Sequence, residues 1–237
     1  MGNAYNQLDF RALPAYSLAD VARYIHTPEN TGRSWVRGRK YRVSTGEERT
    51  FQPLTQLPSV GGPGLSFYNL CELHLLTALR QRHNVPIKNI RAAVEYVTTE
   101  LGTRHPLANA QFKTDGVSLF VERLGVLENA SQHGQLAMQE ILERYLQRVD
   151  FGEDGLAARL FPFLSRPTDD DDGGLPLVEI NPLISFGRPV LSGTGIPVDI
   201  LAGRIDAGDL LDEVADDYDL PLARVRAAVD YQHSLAA

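Results

Sequence analysis

The chain has 237 residues, 43% hydrophobic and 22% charged, with a single cysteine and a net charge of −7. One cysteine excludes a disulfide framework and a cysteine-based zinc site, and fits a reducing, cytoplasmic compartment. No run approaches the roughly 20 apolar residues of a membrane span. The start shows no basic-then-apolar leader, and Asn6 stands where a myristoylation signal has Ser or Thr.

Averaged over the chain, the acidic charge argues against a nucleic-acid partner, but the average hides an asymmetry. Residues 1–110 hold 13 Lys and Arg against 8 Asp and Glu, a balance of +5, while residues 111–237 hold 10 against 22, a balance of −12. A basic front suits phosphates and an acidic back suits a protein partner.

In chain order, Ser17 is placed to cap a short helix carrying Leu18, Val21, Ala22 and Ile25 on one face. A turn is expected at residues 27–30. Thr31 then opens a second short helix through Trp35 that stops near Gly38, with Trp35 anchoring it in the core. Residues 40–43 and 49–52 read as the two strands of a hairpin. The Gly/Pro cluster 58–64 reads as a linker. Ser66 begins a helix with Phe67, Leu70, Leu73, Leu76 and Leu79 inward, and Pro86 opens another, closed by Gly102.

Residues 112–129 suggest short strands with turns near Gly116 and Gly125. Residues 135–149 form an amphipathic stretch with Leu136, Ile141, Leu142, Tyr145 and Leu146 apolar. The four-Asp segment 165–176 is turn-rich and apolar-poor, and is the better domain boundary. Beyond it come a short strand at 178–180, a glycine-punctuated loop at 187–197, and three short helices near 198–206, 209–217 and 221–233. The fold class expected is mainly α with small β elements. It divides into residues 1–106, an α/β connecting region 107–164, an acidic linker 165–176, and a trihelical domain 177–237.

One repeat lies 135 residues apart. Residues 85–96 match residues 220–231, with Pro, Arg, Ala, Ala, Val and Tyr coinciding. Two amphipathic helices after tight turns explain it, and so do two related helix-turn-helix units.

Chemistry-bearing motifs are absent. Residues 193–197 lack the third glycine of a dinucleotide loop, and 61–64 has no following Gly-Lys-Ser/Thr. The six histidines never reach metal-ligand spacing with a cysteine or a second histidine. Cys71 and His74 fit a packed helix. No catalytic residue, metal or cofactor is expected.

Nucleic-acid signals are stronger. Between Asn30 and Gly46 the charged residues are Arg33, Arg37, Arg39, Lys40 and Arg42, all positive. In a helix-turn-helix the second helix lies in the major groove, where Arg or Ser meets base edges, and a β-wing holds Arg and Lys against phosphates. The DNA-binding candidates are therefore Arg33, Ser34, Arg37, Arg39, Lys40 and Arg42.

With those residues in view, the pattern from Tyr16 to Tyr24, the Thr31–Trp35 helix, the hairpin and the helices from Ser66 and Pro86 resemble a MerR-type winged helix-turn-helix. Two departures are a longer wing-to-helix connection at 58–64 and the lack of a dimerising coiled coil directly after the fourth helix. The C-terminal loop, Gly187 to Val198, with its Gly-x-Pro-x-x-x-Gly-Thr-x-Ile-Pro-Val form, resembles a small antitoxin-type domain. Together the two parts are similar to VapB-type antitoxins of VapBC toxin–antitoxin pairs. That resemblance implies two roles: neutralising a PIN-domain ribonuclease toxin, and binding the operon's own promoter DNA as a repressor. A homodimer is the default for a palindromic operator.

The acidic tail carries Arg188, Arg204, Arg224 and Arg226 as its basic residues, and these are the partner-binding candidates. Arg224 and Arg226 are two apart on a helix, about 200° around the axis, so only one is expected to face a given partner. Toxin occlusion by the acidic half is the expected mechanism. The alternative is a free-standing MerR-like regulator whose acidic half senses a ligand; a scaffolding dimer without DNA contact is a third class.

Overall fold

The computed structural model describes residues 9–42, 46, 48–59, 61–83, 85–162 and 176–235, with the backbone alone at 39–42, 49–51, 82 and 83. The expected linker at 165–176 lies, up to residue 175, outside the described residues. The chain is mainly helical and divides into two compact units, Met1–Ala158 and Arg159–Ala237.

The first unit opens with helix α1 (Leu18–Tyr24). Ser17 Oγ accepts the Asp20 amide at 3.0 Å, and the Asp20 carboxylate accepts the Ser17 amide at 3.3 Å. This reciprocal pair satisfies two of the amides a helix start leaves open. Helix α2 (Glu29–Arg37) starts two residues before the expected Thr31. Pro28, taken from the sequence as a turn residue, sits at φ −55° and ψ 133° directly before it. Its fixed φ presets the chain for helix entry. Gly38, at φ 70°, ends α2 in a left-handed conformation that a side chain would disfavour.

Strands β1 (Arg39–Arg42) and β2 (Glu48–Phe51) then form an antiparallel hairpin with Arg39 opposite Phe51, Lys40 opposite Thr50 and Arg42 opposite Glu48. The Gly/Pro segment 58–64, read from the sequence as a linker within the 1–106 domain, connects β2 to the helix that follows Ser66. It lies inside the first unit, and the chain directly after it is clasped to residues 15 and 16. Tyr16 and Leu65 exchange backbone hydrogen bonds of 3.0 and 2.8 Å, and Ala15 N–H donates to Leu65 O at 2.9 Å.

Helix α3 (Phe67–His83) is the centre of this unit. Residues 65–79 are buried on every face, including Asn69, Glu72, His74 and Thr77 as well as Cys71 and the six leucines. Helix α4 (Ile87–Leu101) follows Pro86 and stops at Gly102 in the left-handed region. The short strands expected at 112–129 are absent. A wide helical turn at Phe112–Gly116 leads into helix α5 (Val117–Glu128), which packs on α4.

Gly125, taken as a turn residue, is inside α5. A Cβ there would sit 2.5 Å from Gln135 Cδ of helix α6 (Gln132–Leu146), so a larger residue would displace the Gln135 side chain that packs over this position. Of the apolar residues expected on α6, Leu142 and Leu146 are buried but Leu136 is exposed.

The first unit ends with strand β3 (Val149–Phe151) and the start of β4 (Ala157–Leu160); in the second unit Leu160 pairs antiparallel with Ile180 of β5 (Val178–Ile180), and β5 pairs antiparallel with β6 (Pro189–Leu191). In the second unit, helices α7 (Val198–Asp206), α8 (Leu211–Asp217) and α9 (Leu222–Ser234) pack pairwise around Val198, Leu201, Val214, Val225 and Ala228.

The repeat is a repeat of structure. Pro86 and Pro221 share φ −58° and ψ 132°, and Ile90, Ala93 and Val94 of α4 correspond to buried Val225, Ala228 and Val229 of α9. The polar positions diverge. Arg91 is buried and its Nε donates to the Gln52 carbonyl at 2.6 Å, whereas its counterpart Arg226 is exposed.

Candidate nucleic-acid interface

Helix α2 has one buried and one solvent face. Gly32, Trp35 and Val36 face the core, Trp35 being 2% exposed. The Trp35 carbonyl accepts the Leu54 amide at 2.7 Å, which ties the end of the helix to the chain leaving the hairpin. On the other side Asn30, Arg33 and Arg37 are exposed at spacings of three and four, a single stripe along the helix.

The predicted residues differ in how available they are. Arg37 is exposed and makes no hydrogen bond or ion pair among the described residues. Arg33 pairs with Glu29 at 2.5 Å, one turn earlier on the same face. Ser34 is half-buried and its hydroxyl donates to the Thr31 carbonyl at 2.8 Å, which reduces its capacity to read a base. Arg39, Lys40 and Arg42 occupy β1, directly after Gly38; their side chains lie outside the described residues.

Asn30 is a further candidate on this face, outside those expected from the sequence. It was assigned to a turn, but it stands in the first turn of α2 on the same stripe as Arg33 and Arg37. Asn and Arg are the side chains that pair bidentately with adenine and guanine edges.

A model described as "Putative DNA-binding HTH domain" matches residues 14–94, and one described as "Protein of unknown function (DUF433)" matches residues 178–232. The protein named "Putative antitoxin VapB45" of Mycobacterium tuberculosis strain H37Rv is 31% identical over 233 residues, covering 92% of this chain and 93% of that one. The chain belongs to the VapB45 antitoxin family. A second relative of the VapB45-family chain, "Uncharacterized protein Rv2308" of the same organism, is 26% identical over 91% of this chain and 89% of its own. The crystal structure of Rv2018 from M. tuberculosis matches with a TM-score of 0.62 at 26% identity, covering 91% of this chain and 97% of that one.

In this VapB45 relative the helix-turn-helix match takes in α1, α2, the hairpin, α3 and part of α4, and the second match runs from β5 into α9. The four tail arginines are not equivalent. Arg188 pairs with Asp199, Arg204 donates to Asp209 and Asp217 at 2.6 Å each, and Arg224 donates to the Ser192 carbonyl at 2.7 Å. Those three fasten the second unit to itself. Among the described residues Arg226 alone of the four is exposed and makes no hydrogen bond or ion pair.

Two apolar residues of the VapB45-family tail point the other way, into solvent. Leu183 is 75% exposed and Phe186 is 90% exposed, in the loop before Gly187. Ser185 and Phe186 both have positive φ, 46° and 57°. The loop is braced by the Ser185 hydroxyl on the Gly195 carbonyl at 3.0 Å and by the Ile184 amide on the Asn181 carbonyl at 2.9 Å. Two consecutive non-glycine residues in that region cost strain, which other contacts must offset. In sequence the signal is three apolar residues, Leu183, Ile184 and Phe186, outside any periodic element.

Among the described residues no group of three metal-ligating side chains is present, and no helix is long and apolar enough to cross a membrane.

Proposed function

We propose that this chain is a cytoplasmic antitoxin that neutralises a PIN-domain ribonuclease and represses its own promoter, acting on DNA as a homodimer. The observation that carries the DNA role is the stripe of Asn30, Arg33 and Arg37 on the solvent face of a helix whose opposite face is locked by Trp35. Helix α2 is the recognition helix of a MerR-like winged helix-turn-helix, with Arg37 as its principal contact. Arg33 contributes after releasing Glu29, and Arg39, Lys40 and Arg42 bring the hairpin to the phosphates.

The second unit takes the toxin. Residues 175–237 carry ten Asp and Glu against four Arg, a balance of −6, which a duplex would repel. That balance suits a basic protein surface, and exposed Phe186, Leu183 and Arg226 are the anchors available on it. Neutralisation is steric and electrostatic occlusion of the toxin's RNA groove.

Co-expression with the neighbouring open reading frame, followed by co-purification and an RNA-cleavage assay, tests the antitoxin role. A complex with suppressed cleavage is expected, and the absence of any complex rejects the role. Promoter binding by the purified chain, lost on raising salt, tests the DNA role separately.

A further inference from the structure

A cavity of about 600 Å³ lies in the first unit, between α4 and the strap of residues 52–57 that leaves the hairpin. That volume is within the range of small-molecule sites. Neither the DNA nor the toxin role uses it.

Its inner wall includes Glu72, a residue only 2% exposed in the middle of α3. One carboxylate oxygen, Oε2, is engaged twice, accepting the Thr55 hydroxyl and lying 3.2 Å from His105 Nδ1. The other oxygen, Oε1, accepts no hydrogen bond from the described residues. Glu72 itself lines the cavity, so a donor entering it can reach this carboxylate. A buried carboxylate with an open lone-pair face is costly unless a donor or a positive charge meets it.

The surroundings are prearranged. Asn69 Nδ2 donates to Thr55 Oγ1 at 2.6 Å and to the Gln56 carbonyl at 2.8 Å, which fixes the strap over α3. Glu95 adds a second carboxylate to the lining. The one arginine there, Arg104, directs Nε to Gln56 Oε1 at 2.8 Å. Leu54, Val94 and Pro106 supply apolar walls. Two carboxylates at an apolar-walled cavity, one of them buried and half-satisfied, select a positively charged head on a hydrocarbon body.

We propose that this cavity binds a small organic cation, an aliphatic amine or guanidine whose charged head meets Glu72 Oε1. Cation capture at Glu72 requires neither DNA nor toxin, so it can succeed or fail independently of both.

Isothermal titration of the full chain with cadaverine and agmatine, alongside the uncharged 1,5-pentanediol, tests it. Saturable binding of at least one of the cations and none of the diol is expected, with Glu72→Gln weakening the cation at least tenfold. Thr98→Phe, which fills the cavity from α4 without touching Glu72, abolishes binding and serves if Glu72→Gln does not fold. Absence of saturable cation binding, equal binding of the diol, or a folded Glu72→Gln or Thr98→Phe chain that binds as tightly as the parent overturns the proposal.

Discussion

Arg37 and Arg33 sit one helical turn apart on the same face of α2, yet they begin from different states. Arg33 must leave Glu29 before it can reach a phosphate or base, while Arg37 has no such competitor. Arg37→Ala is therefore expected to cost about 1–3 kcal/mol of promoter affinity, and Arg33→Ala less. Each arginine that contacts a phosphate lowers the salt slope by about one on removal. Gel shift or anisotropy titrations at several salt concentrations measure both, and unchanged affinity in both variants would remove α2 from the interface.

His74 provides a second test at this scale. Its ring is fully buried against Tyr145, with centroids 4.9 Å apart, and Nε2 has no hydrogen-bond partner. Burial, reinforced by the charge of Arg148, pushes its pKa down to about 3. The unfolded chain binds the proton near the ordinary value of about 6.5. Stability from this residue is thus complete above pH 6.5 and falls as the pH drops from there towards 3. The slope is up to about 1.4 kcal/mol per pH unit. Urea melts across that range should show a shallower decline for His74→Phe, which keeps the ring packing and removes the titration.

At the scale of elements, the paired helices α4 and α9 separate a structural arginine from an available one. Arg91 is buried and holds the strap through Gln52, so Arg91→Ala strands a carbonyl and is expected to cost about 1–3 kcal/mol by chemical denaturation. Arg226→Ala, at the matching position of the repeat, should stay within about 0.5 kcal/mol, because it is exposed and makes no such bond.

The twelve-residue repeat made both helices legible, since proline before an apolar stripe is a local signal. It could not show that one arginine turns inward, because that depends on where residue 52 lies in space. Ser17, Gly38 and Gly102 marked helix ends correctly for the same local reason. Residues 112–129 were misread although Val117, Phe120, Val121, Leu124 and Gly125 recur at helical spacing, because Leu119, Val126 and Leu127 blur that stripe and Gly116 and Gly125 signal turns. Asn30 was missed because Pro28 signals turns and helix starts alike. Glu72 left one trace, a lone carboxylate inside an apolar stretch, but the cavity beside it joins segments tens of residues apart.

For the whole molecule, the division of charge predicts two binding reactions with the same salt response and opposite signs of surface. In the proposed function the front half, at +5, would release counterions from DNA, and the back half, at −12, would attract a basic partner. Both affinities should fall as salt rises, the DNA affinity log-linearly and the toxin chiefly through a slower association rate. Stopped-flow association with the toxin at several salt concentrations examines the second. A rate indifferent to salt would leave the protruding Phe186 loop, and not the acidic surface, as the basis of recognition.

The position of Cys71 gives the molecule a built-in clock. It is the chain's one thiol, it lies at the heart of α3 with no exposed surface, and burial raises its pKa well above the ordinary value. A thiol reagent therefore reaches it only through opening of the first unit, and its rate of modification counts those openings. Under native conditions labelling should be slow and reach one equivalent; in urea it should be immediate. Promoter DNA, by binding the closed form, should slow the clock in proportion to its occupancy, so that one chemical signal reports both stability and DNA engagement.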